Sequence, residues 1–340
     1  LSIMFRENLT KIIKGIDLVE SEMSQMIHEI FSGNITDSQI GAFMAALATK
    51  GETFEELAGA AKAMREKAVK VKTSAPELID IVGTGGDHSN TFNISTTTSF
   101  VVAGCGVSVA KHGNRSVSSK CGSADVLEGL GVKLDMDPDL VGKSIDETGI
   151  GFLFAPKFHG AMKYAASARK EIGIRSIFNM IGPLSNPADT DYFLLGVYAP
   201  ELTDMFASAL LLLGAKRALV VHSDDGLDEI SICSPTRVSE LKDGSITTYI
   251  LNPENYFGEK SELNEIIGGD VNKNIEITRN ILSGEKGARR NIVLLNASAA
   301  LVAIGKAENI KEGIVIAKKS IDSGAASAKL DKLVEFTQGN

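Results

Sequence analysis

Two short glycine-rich stretches, Gly83-Thr84-Gly85-Gly86-Asp87 and Lys111-His112-Gly113-Asn114-Arg115-Ser116, each follow directly on an apolar run of strand character. Leu78, Ile79, Ile81 and Val82, interrupted only by Asp80, make the first run, and Val107, Val109 and Ala110 the second. In an open α/β sheet the ends of such strands form the ligand-binding edge. Glycine there lets successive N–H groups converge on an anion with no Cβ in the way, and it adopts the positive φ that such a nest requires. Asn93-Ile94-Ser95-Thr96-Thr97-Thr98-Ser99 reads as a helix start, whose free N–H groups and hydroxyls also favour phosphate, and Lys111 adds a cation. A lone Gly-Thr-Gly-Gly is more often an ordinary tight turn than a cradle. The spacing here is neither that of a P-loop nor that of the dinucleotide fingerprint. Two such turns close together point to a polyphosphorylated substrate.

A third segment strengthens the phosphate reading. Ala218-Leu219-Val220-Val221 reads as a buried strand running into His222-Ser223-Asp224-Asp225-Gly226-Leu227-Asp228-Glu229, where carboxylates crowd together. Adjacent carboxylates repel unless they are solvated or a cation lies among them. Magnesium suits the pattern, since it takes one or two protein carboxylates, keeps several waters and leans on substrate phosphates. An acidic surface loop is the alternative, and the usual outcome for a charge run considered alone. Beside two anion-binding turns, the metal is the better reading.

These strings resemble the signatures of the anthranilate phosphoribosyltransferases of tryptophan biosynthesis. The resemblance runs from Gly83 to Asp87, from Lys111 to Glu128, through Phe154-Ala155-Pro156-Lys157-Phe158-His159, from Arg169 to Pro187 and through Asp225-Gly226-Leu227-Asp228-Glu229, in order over nearly the whole chain. It implies transfer of the 5-phosphoribosyl group from phosphoribosyl pyrophosphate to the amine of anthranilate. By resemblance, Gly83, Gly86, Asp87, Thr91, Asn93, Ile94, Ser95, Thr96, Lys111, His112, Gly113, Asn114, Arg115, Ser116, Val117, Ser118, Ser119 and Ser123 bind phosphoribosyl pyrophosphate. Two magnesium ions are implied, one held by Ser95 with Glu229 and one by Asp228 with Glu229. Asn114 and Arg169 meet anthranilate together with Gly83, while His112, His159, Tyr164 and Gly182 shape its tunnel. Arginine is apt there, because its planar fork pairs with a carboxylate through two parallel hydrogen bonds. Gly160, where the family prefers proline, and Ser223, where glycine is usual, bear on loop conformation, and Lys157 and Phe158 vary the tunnel segment.

The implied mechanism needs no protein nucleophile. Pyrophosphate leaves with its charge bound more tightly as the bond lengthens, the ribosyl centre becomes oxocarbenium-like, and a neutral aromatic amine attacks with inversion. Positioning and charge stabilisation supply most of the rate. His112 is read as a binding residue, although its ordinary pKa suits proton transfer. His88 either flanks a phosphate or caps a loop. Cys105, Cys121 and Cys233 lack metal-ligand spacing and read as reduced thiols.

The elements that must position these groups fall into two patterns. Before residue 75 the period is helical: Met23, Met26, Ile27, Ile30 and Phe31 make a buried stripe that leaves His28 facing solvent, and Ile40, Phe43, Met44 and Leu47 share a face. Thr36 with Gln39 and Thr53 with Glu56 read as capping boxes. From Leu78 onward, apolar strands near 78–82, 107–110, 194–198, 218–221 and 292–295 alternate with helical stretches, which indicates a mostly parallel sheet covered by helices on both faces. The segment from Arg169 to Asn186 interrupts this pattern, and the resemblance implies that it returns to the helical domain, giving a small all-helical domain, 1–74 plus about 168–189, hinged to a large α/β domain, 75–167 plus 190–340. This is the nucleoside phosphorylase/phosphoribosyltransferase class with an N-terminal helical domain. Arg169 then lies near the hinge, where closure brings donor and acceptor together.

With 340 residues, 44% hydrophobic and 23% charged, the chain can bury a full core. A net charge of −8 argues against a nucleic-acid partner. No apolar run approaches the roughly 20 residues of a membrane helix, and no signal-peptide core opens the sequence, so a cytoplasmic enzyme is expected. The resemblance implies a homodimer through the helical domain. Two rivals stand beside the main reading: a pyrimidine nucleoside phosphorylase of the same fold, which needs no paired magnesium carboxylates, and a non-catalytic nucleic-acid-binding relative, for which a basic groove is expected. Asp228 and Glu229 speak against both.

Overall fold

The computed structural model describes residues 3–86, 89–116 and 121–340. Four helices come first: α1 (Ile3–Ile13), α2 (Glu20–Phe31), α3 (Asp37–Lys50) and α4 (Phe54–Lys67). Both capping boxes form. The Gln39 and Glu56 N–H groups donate to Thr36 and Thr53 Oγ1 at 3.4 and 3.2 Å, and the Thr36 and Thr53 N–H groups donate to Gln39 Oε1 and Glu56 Oε2 at 3.1 and 2.9 Å. The apolar stripes expected on α2 and α3 are buried. His28 lies outside the stripe and partly exposed, tied through Nε2 to Glu66 Oε2 at 2.7 Å, which joins α2 to the end of α4.

An α/β alternation follows: β1 (Ile79–Gly83), α5 (Ile94–Gly104), β2 (Val109–Gly113), α6 (Ser123–Gly129), α7 (Pro138–Thr148), β3 (Ile150–Phe154) and α8 (Ala155–Phe158). Helices α9 (Lys163–Ile172) and α10 (Ile177–Met180) then interrupt it. It resumes with β4 (Tyr192–Gly196), α11 (Leu202–Leu212), β5 (Arg217–Ser223), β6 (Thr236–Lys242) and β7 (Ser245–Leu251). Helices α12 (Glu254–Phe257), α13 (Val271–Leu282), α14 (Ala288–Ala303), α15 (Ile310–Asp322) and α16 (Ala325–Gly339) close the chain. The sheet order is β3-β2-β1-β4-β5-β6-β7, parallel from β3 to β5 and antiparallel beyond.

Side chains alternate across the central strands and divide the interior in two. Tyr192, Leu194, Leu219 and Val221 pack into a core with α5, α14, α15 and α16, whereas Phe193, Leu195, Ala218 and Val220 pack into a core shared with α2, α3, α4 and α11. Ala165, Ala168, Ile177, Phe178, Ile181 and Leu184 join this second core, so the segment that interrupts the sheet pattern packs with the N-terminal helices. Helices bury both faces of the central parallel strands, which is why these read as near-continuous apolar runs.

Residues 292–295 form no strand. They lie inside α14, which is buried from Ile292 through Ala303. A short apolar run fits a buried strand or a buried helix equally well, and the alanines at 297, 299, 300 and 303 carry this one to helical length. Strand β2 runs past the expected 107–110 to Gly113, making Lys111 and His112 buried strand residues rather than turn residues. Strands β3, β6 and β7 were not anticipated. The last two are joined by Asp243-Gly244, both at positive φ (51° and 72°), a two-residue hairpin loop whose Asp-Gly pair is itself a sequence signal.

Candidate active site

The first glycine turn is shaped around one carboxylate. Gly85 and Gly86 have φ of 66° and 77°, which only glycine adopts readily, and the Gly85 N–H donates to Asp228 Oδ2 at 2.8 Å. A Cβ on Gly83 would lie 2.4 Å from that same oxygen, and one on its β4 neighbour Gly196 would lie 1.5 Å from the Asp228 carbonyl oxygen. Two paired strand-end glycines thus form the slot into which Asp228 fits. Sequence reasoning missed Gly196, although a glycine within a strand often marks close backbone approach.

Helix α5 directs its N-terminus to the same edge. Its N-cap, Asn93, makes no side-chain capping bond; the first α-type bond runs from the Thr97 N–H to the Asn93 carbonyl, so the Ser95 and Thr96 N–H groups have no intrahelical acceptor. Asn93 donates through its backbone to Asn274 Oδ1 at 3.0 Å and through Nδ2 to the Cys121 carbonyl at 3.1 Å. Asn93 Oδ1, Thr84 Oγ1 and Thr96 Oγ1 are buried without a hydrogen-bond partner. Thr91 bridges to Ile267, which fixes the chain entering the helix.

Beneath Ser95 lie two buried titratable side chains, Lys111 and Asp80. Lys111 Nζ donates to the Ile81 carbonyl at 2.7 Å and to Ser95 Oγ at 3.3 Å; burial pulls its pKa down against the opposing charges of Asp80, Glu229 and Asp228. Asp80, inaccessible to solvent, is pushed up to about 7 by burial. It accepts from the His112 N–H at 3.1 Å and from Asn186 Nδ2 at 2.7 Å. Asn186 also donates to the Ala110 carbonyl at 2.8 Å, binding the segment after α10 to the cradle strand. Neither Asp80 nor Asn186 was singled out as a site residue from sequence.

The acidic loop is built from within. Asp225 accepts from Ser223 Oγ and Ser231 Oγ, both at 2.6 Å, and its N–H donates to Ser234 Oγ at 3.0 Å. Asp225 therefore shapes the loop, and the serine found where glycine is usual supplies one of its bonds. Asn296 of α14 accepts from the Ile230 N–H at 3.0 Å and donates to the Ile230 carbonyl at 2.9 Å, pinning the backbone next to Glu229. Among the described residues no group of three or more His, Cys, Asp or Glu side chains converges as a metal cage. Two carboxylates and a serine hydroxyl suit magnesium that draws its other ligands from substrate phosphates and water.

At the residues expected to shape the tunnel, His112 Nδ1 donates to the Gly182 carbonyl at 3.1 Å, which leaves Nε2 to accept from His159 Nε2–H at 3.1 Å. Burial is the main reason that the His112 imidazole falls to about 3, with His159 adding to it, and burial followed by the charge of Lys70 takes His159 to about 4. Both are neutral at pH 7. His159 Nδ1 is buried without a partner. Arg169 is half-buried, its guanidinium 5.9 Å from the Phe178 ring centre, and no carboxylate pairs with it among the described residues. Tyr164 is exposed and lies against Gly33, with Lys163 Nζ over its ring.

The second turn folds onto the start of α6. Asp125 accepts from the N–H groups of Ser116 and Gly122 at 3.2 and 2.8 Å, and Ser123 Oγ donates to the Asn114 carbonyl at 3.2 Å. A Cβ on Gly113 would strike Ser123 Oγ at 2.3 Å. Asn114 Oδ1 accepts from the Arg115 N–H at 2.8 Å. Arg115 turns outward, forked onto Glu128 at 2.9 and 3.1 Å and also held by Asp125. A groove of about 600 Å³ lined by Arg115, Phe154 and Lys157 adjoins it; Asp228, His112 and Arg169 are not among its lining residues. Asp87, Val117, Ser118 and Ser119 lie outside the described residues.

A helical bundle joined to a mostly parallel sheet, with glycine turns and an acidic pair at the carboxyl edge, defines a class of glycosyltransferase. The model of the glycosyl transferase family a/b domain matches residues 75–327, and that of the family's helical bundle domain matches residues 6–68. Anthranilate phosphoribosyltransferase of Desulfosudis oleivorans is 62% identical over 99% of this chain and 100% of its own. The crystal structure of the Thermus thermophilus anthranilate phosphoribosyltransferase matches with a TM-score of 0.92 at 41% identity, covering 97% of this chain and 99% of that one. That of the Saccharomyces cerevisiae enzyme in complex with PRPP and Mg matches with a TM-score of 0.90 at 28% identity, over 100% and 99%. The chain belongs to the anthranilate phosphoribosyltransferase family.

Proposed function

We propose that the chain transfers the 5-phosphoribosyl group of phosphoribosyl pyrophosphate to the amine of anthranilate, releasing pyrophosphate, as a step of tryptophan biosynthesis. The observation that carries the residue assignments is the slot between Gly83 and Gly196, which presents Asp228 to the first glycine turn beside the uncapped start of α5. Gly83 and Gly86, the stretch Asn93 to Thr96 and the second turn then hold the donor, with Lys111 acting on it from behind Ser95, and Ser95, Asp228 and Glu229 hold two magnesium ions with it. Bound magnesium supplies positive charge against the departing pyrophosphate. The uncommitted N–H groups of Ser95 and Thr96 add fixed dipoles. Lys111 stays behind Ser95 and sets the local potential without touching solvent.

Arg169 receives the anthranilate carboxylate, a role supported by its half-buried cation without a carboxylate partner. The neutral His112–His159 pair, fixed by the Gly182 carbonyl, walls the acceptor path without repelling or protonating the amine. The amine is nucleophilic at neutral pH, so positioning suffices. The three cysteines form no disulfide among the described residues and their thiols are pushed up to about 11 by burial, leaving them poor nucleophiles at neutral pH.

The domain arrangement that goes with this reading is 1–74 with about 168–189 moving against 75–167 with 190–340. A homodimer through the N-terminal helices is supported by exposed Ile3, Ile13, Ile16, Val19 and Phe54. The reading places the enzyme in the cytoplasm; no helix among the described residues is long and apolar enough to cross a membrane. The test follows anthranilate fluorescence on mixing with phosphoribosyl pyrophosphate and magnesium. Loss that a chelator abolishes is expected, and no loss with the donor bound would send the assignment to another amine acceptor.

A further inference from the structure

Arg175 is exposed and lies in the loop between α9 and α10, in the same chain segment as Arg169, yet it reaches the donor turn. Its Nη2 donates to the Gly86 carbonyl at 3.1 Å, and its guanidinium carbon lies 3.7 Å from the centre of the Tyr198 ring, just beyond β4. Gly86 is required for this approach twice over: its φ is 77°, and a Cβ there would lie 2.4 Å from Nη2. A guanidinium stacked on an aromatic face keeps its fork edge free to donate, so Tyr198 presets the direction in which Arg175 points. Three segments meet here: the loop ahead of α10, the end of β4 and the first glycine turn.

We propose that Arg175 is a positioning residue for the donor cradle, seated on Tyr198 and holding the Gly83–Gly86 turn in its binding conformation from the acceptor-side segment. The inference rests on the donor reading above and deepens it. The Gly86 carbonyl held by Arg175 fixes the far end of a turn whose Thr84 and Gly85 N–H groups are already held by the Gly196 carbonyl and Asp228 Oδ2 at 2.9 and 2.8 Å. The segment that carries the acceptor arginine thereby also holds the donor turn, and the two halves of the site keep a common register.

The test measures donor binding without acceptor, by calorimetry with phosphoribosyl pyrophosphate and magnesium, beside steady-state kinetics and thermal unfolding. Arg175→Ala is expected to weaken donor binding about 10- to 150-fold, the range of one charge-assisted hydrogen bond. The unfolding temperature and the KM for anthranilate should stay close to wild type. Tyr198→Leu should lose part of the same factor, and the double variant should lose little more than Arg175→Ala alone, because the two side chains act as a unit. Arg175→Lys should restore binding only in part, since an ammonium keeps the charge without the stacked fork. Donor binding by Arg175→Ala within twofold of wild type overturns the proposal. So does a rise confined to the KM for anthranilate, which would make Arg175 an acceptor contact, and so does a lowered unfolding temperature with binding intact. A wild-type protein that binds no donor would instead sink the donor reading.

Discussion

Gly83→Ala tests the slot that holds Asp228. The added methyl would lie 2.4 Å from Asp228 Oδ2 and 3.1 Å from its carboxyl carbon. An ordinary contact needs about 3.4 Å, so the carboxylate must retreat by roughly 1 Å and surrender the hydrogen bond from the Gly85 N–H. Gly83 has no positive φ, so alanine brings no backbone strain and the perturbation falls on the carboxylate alone. The lost charged hydrogen bond is worth about 1.5–3 kcal/mol, and a misplacement of roughly 1 Å at a reacting centre costs about 100-fold in rate. The expected result is kcat/KM for phosphoribosyl pyrophosphate lowered by about 100-fold, with a raised magnesium requirement, in the anthranilate fluorescence assay. The fold should survive, because a side chain can yield where a backbone cannot. Gly196→Ala is the harsher control: its methyl meets the Asp228 carbonyl oxygen at 1.5 Å, and the loop itself must move. If Gly83→Ala turns over within threefold of wild type across a magnesium titration, Asp228 is not held to close tolerance and the slot has no catalytic meaning.

Other expectations follow from the same geometry. Arg169→Ala should raise the KM for anthranilate by about 10- to 100-fold, the worth of a bidentate carboxylate pair, while donor binding stays put; a selective loss of donor binding would refute the acceptor placement. Asp228→Ala with Glu229→Ala should abolish turnover and leave the circular dichroism spectrum unchanged, so an active double variant would remove both from the metal site. Stability should fall on acidification between about pH 6.5 and 4.5. In that window the unfolded chain protonates two imidazoles that stay neutral when folded, while folded Asp80, pushed up to about 7, keeps one proton that the unfolded chain releases. Unfolding thus takes up protons from these groups, approaching a net one near pH 5, where stability is lost at up to about 1.4 kcal/mol per pH unit lowered. Urea midpoints at stepped pH measure this slope, and midpoints that rise on acidification would show the imidazoles to be charged in the fold.

Local signals were legible in the sequence, and long-range closures were not. Thr36 with Gln39 and Thr53 with Glu56 announced two helix starts, because a capping box is complete within four residues. Gly85 and Gly86 announced positive φ for the same reason. Gly196 carried no such mark, since its need for glycine comes from a carbonyl supplied by a distant loop. Residues 292–295 have strand composition and lie in a helix because the alanines around them let α14 bury itself on all sides. Lys111 reads as a cation within the second glycine turn; it is a buried strand residue because the Ile81 carbonyl and Ser95 satisfy its ammonium. Ser223 raised a question only of loop conformation, whereas its hydroxyl fastens Asp225.

The stretch from Asp224 to Pro235 joins β5 to β6 and would pass for a connection free to vary in length. Its two ends are fastened to each other, with the Asp224 N–H donating to the Pro235 carbonyl at 2.9 Å. Its middle is fastened to α14 through Asn296, and Leu227, Ile230, Ser231 and Ile232 are buried along the way. An inserted or deleted residue would move Asp228 off the glycine slot or tear Ile230 from Asn296, with no slack to absorb the change. Over evolutionary time this connector should therefore keep its length as strictly as a core strand does, and drift within it should be confined to positions such as Asp224, whose side chain faces solvent. The length of a loop, ordinarily the freest variable in a fold, is here set by the seat of Asp228 between two glycines.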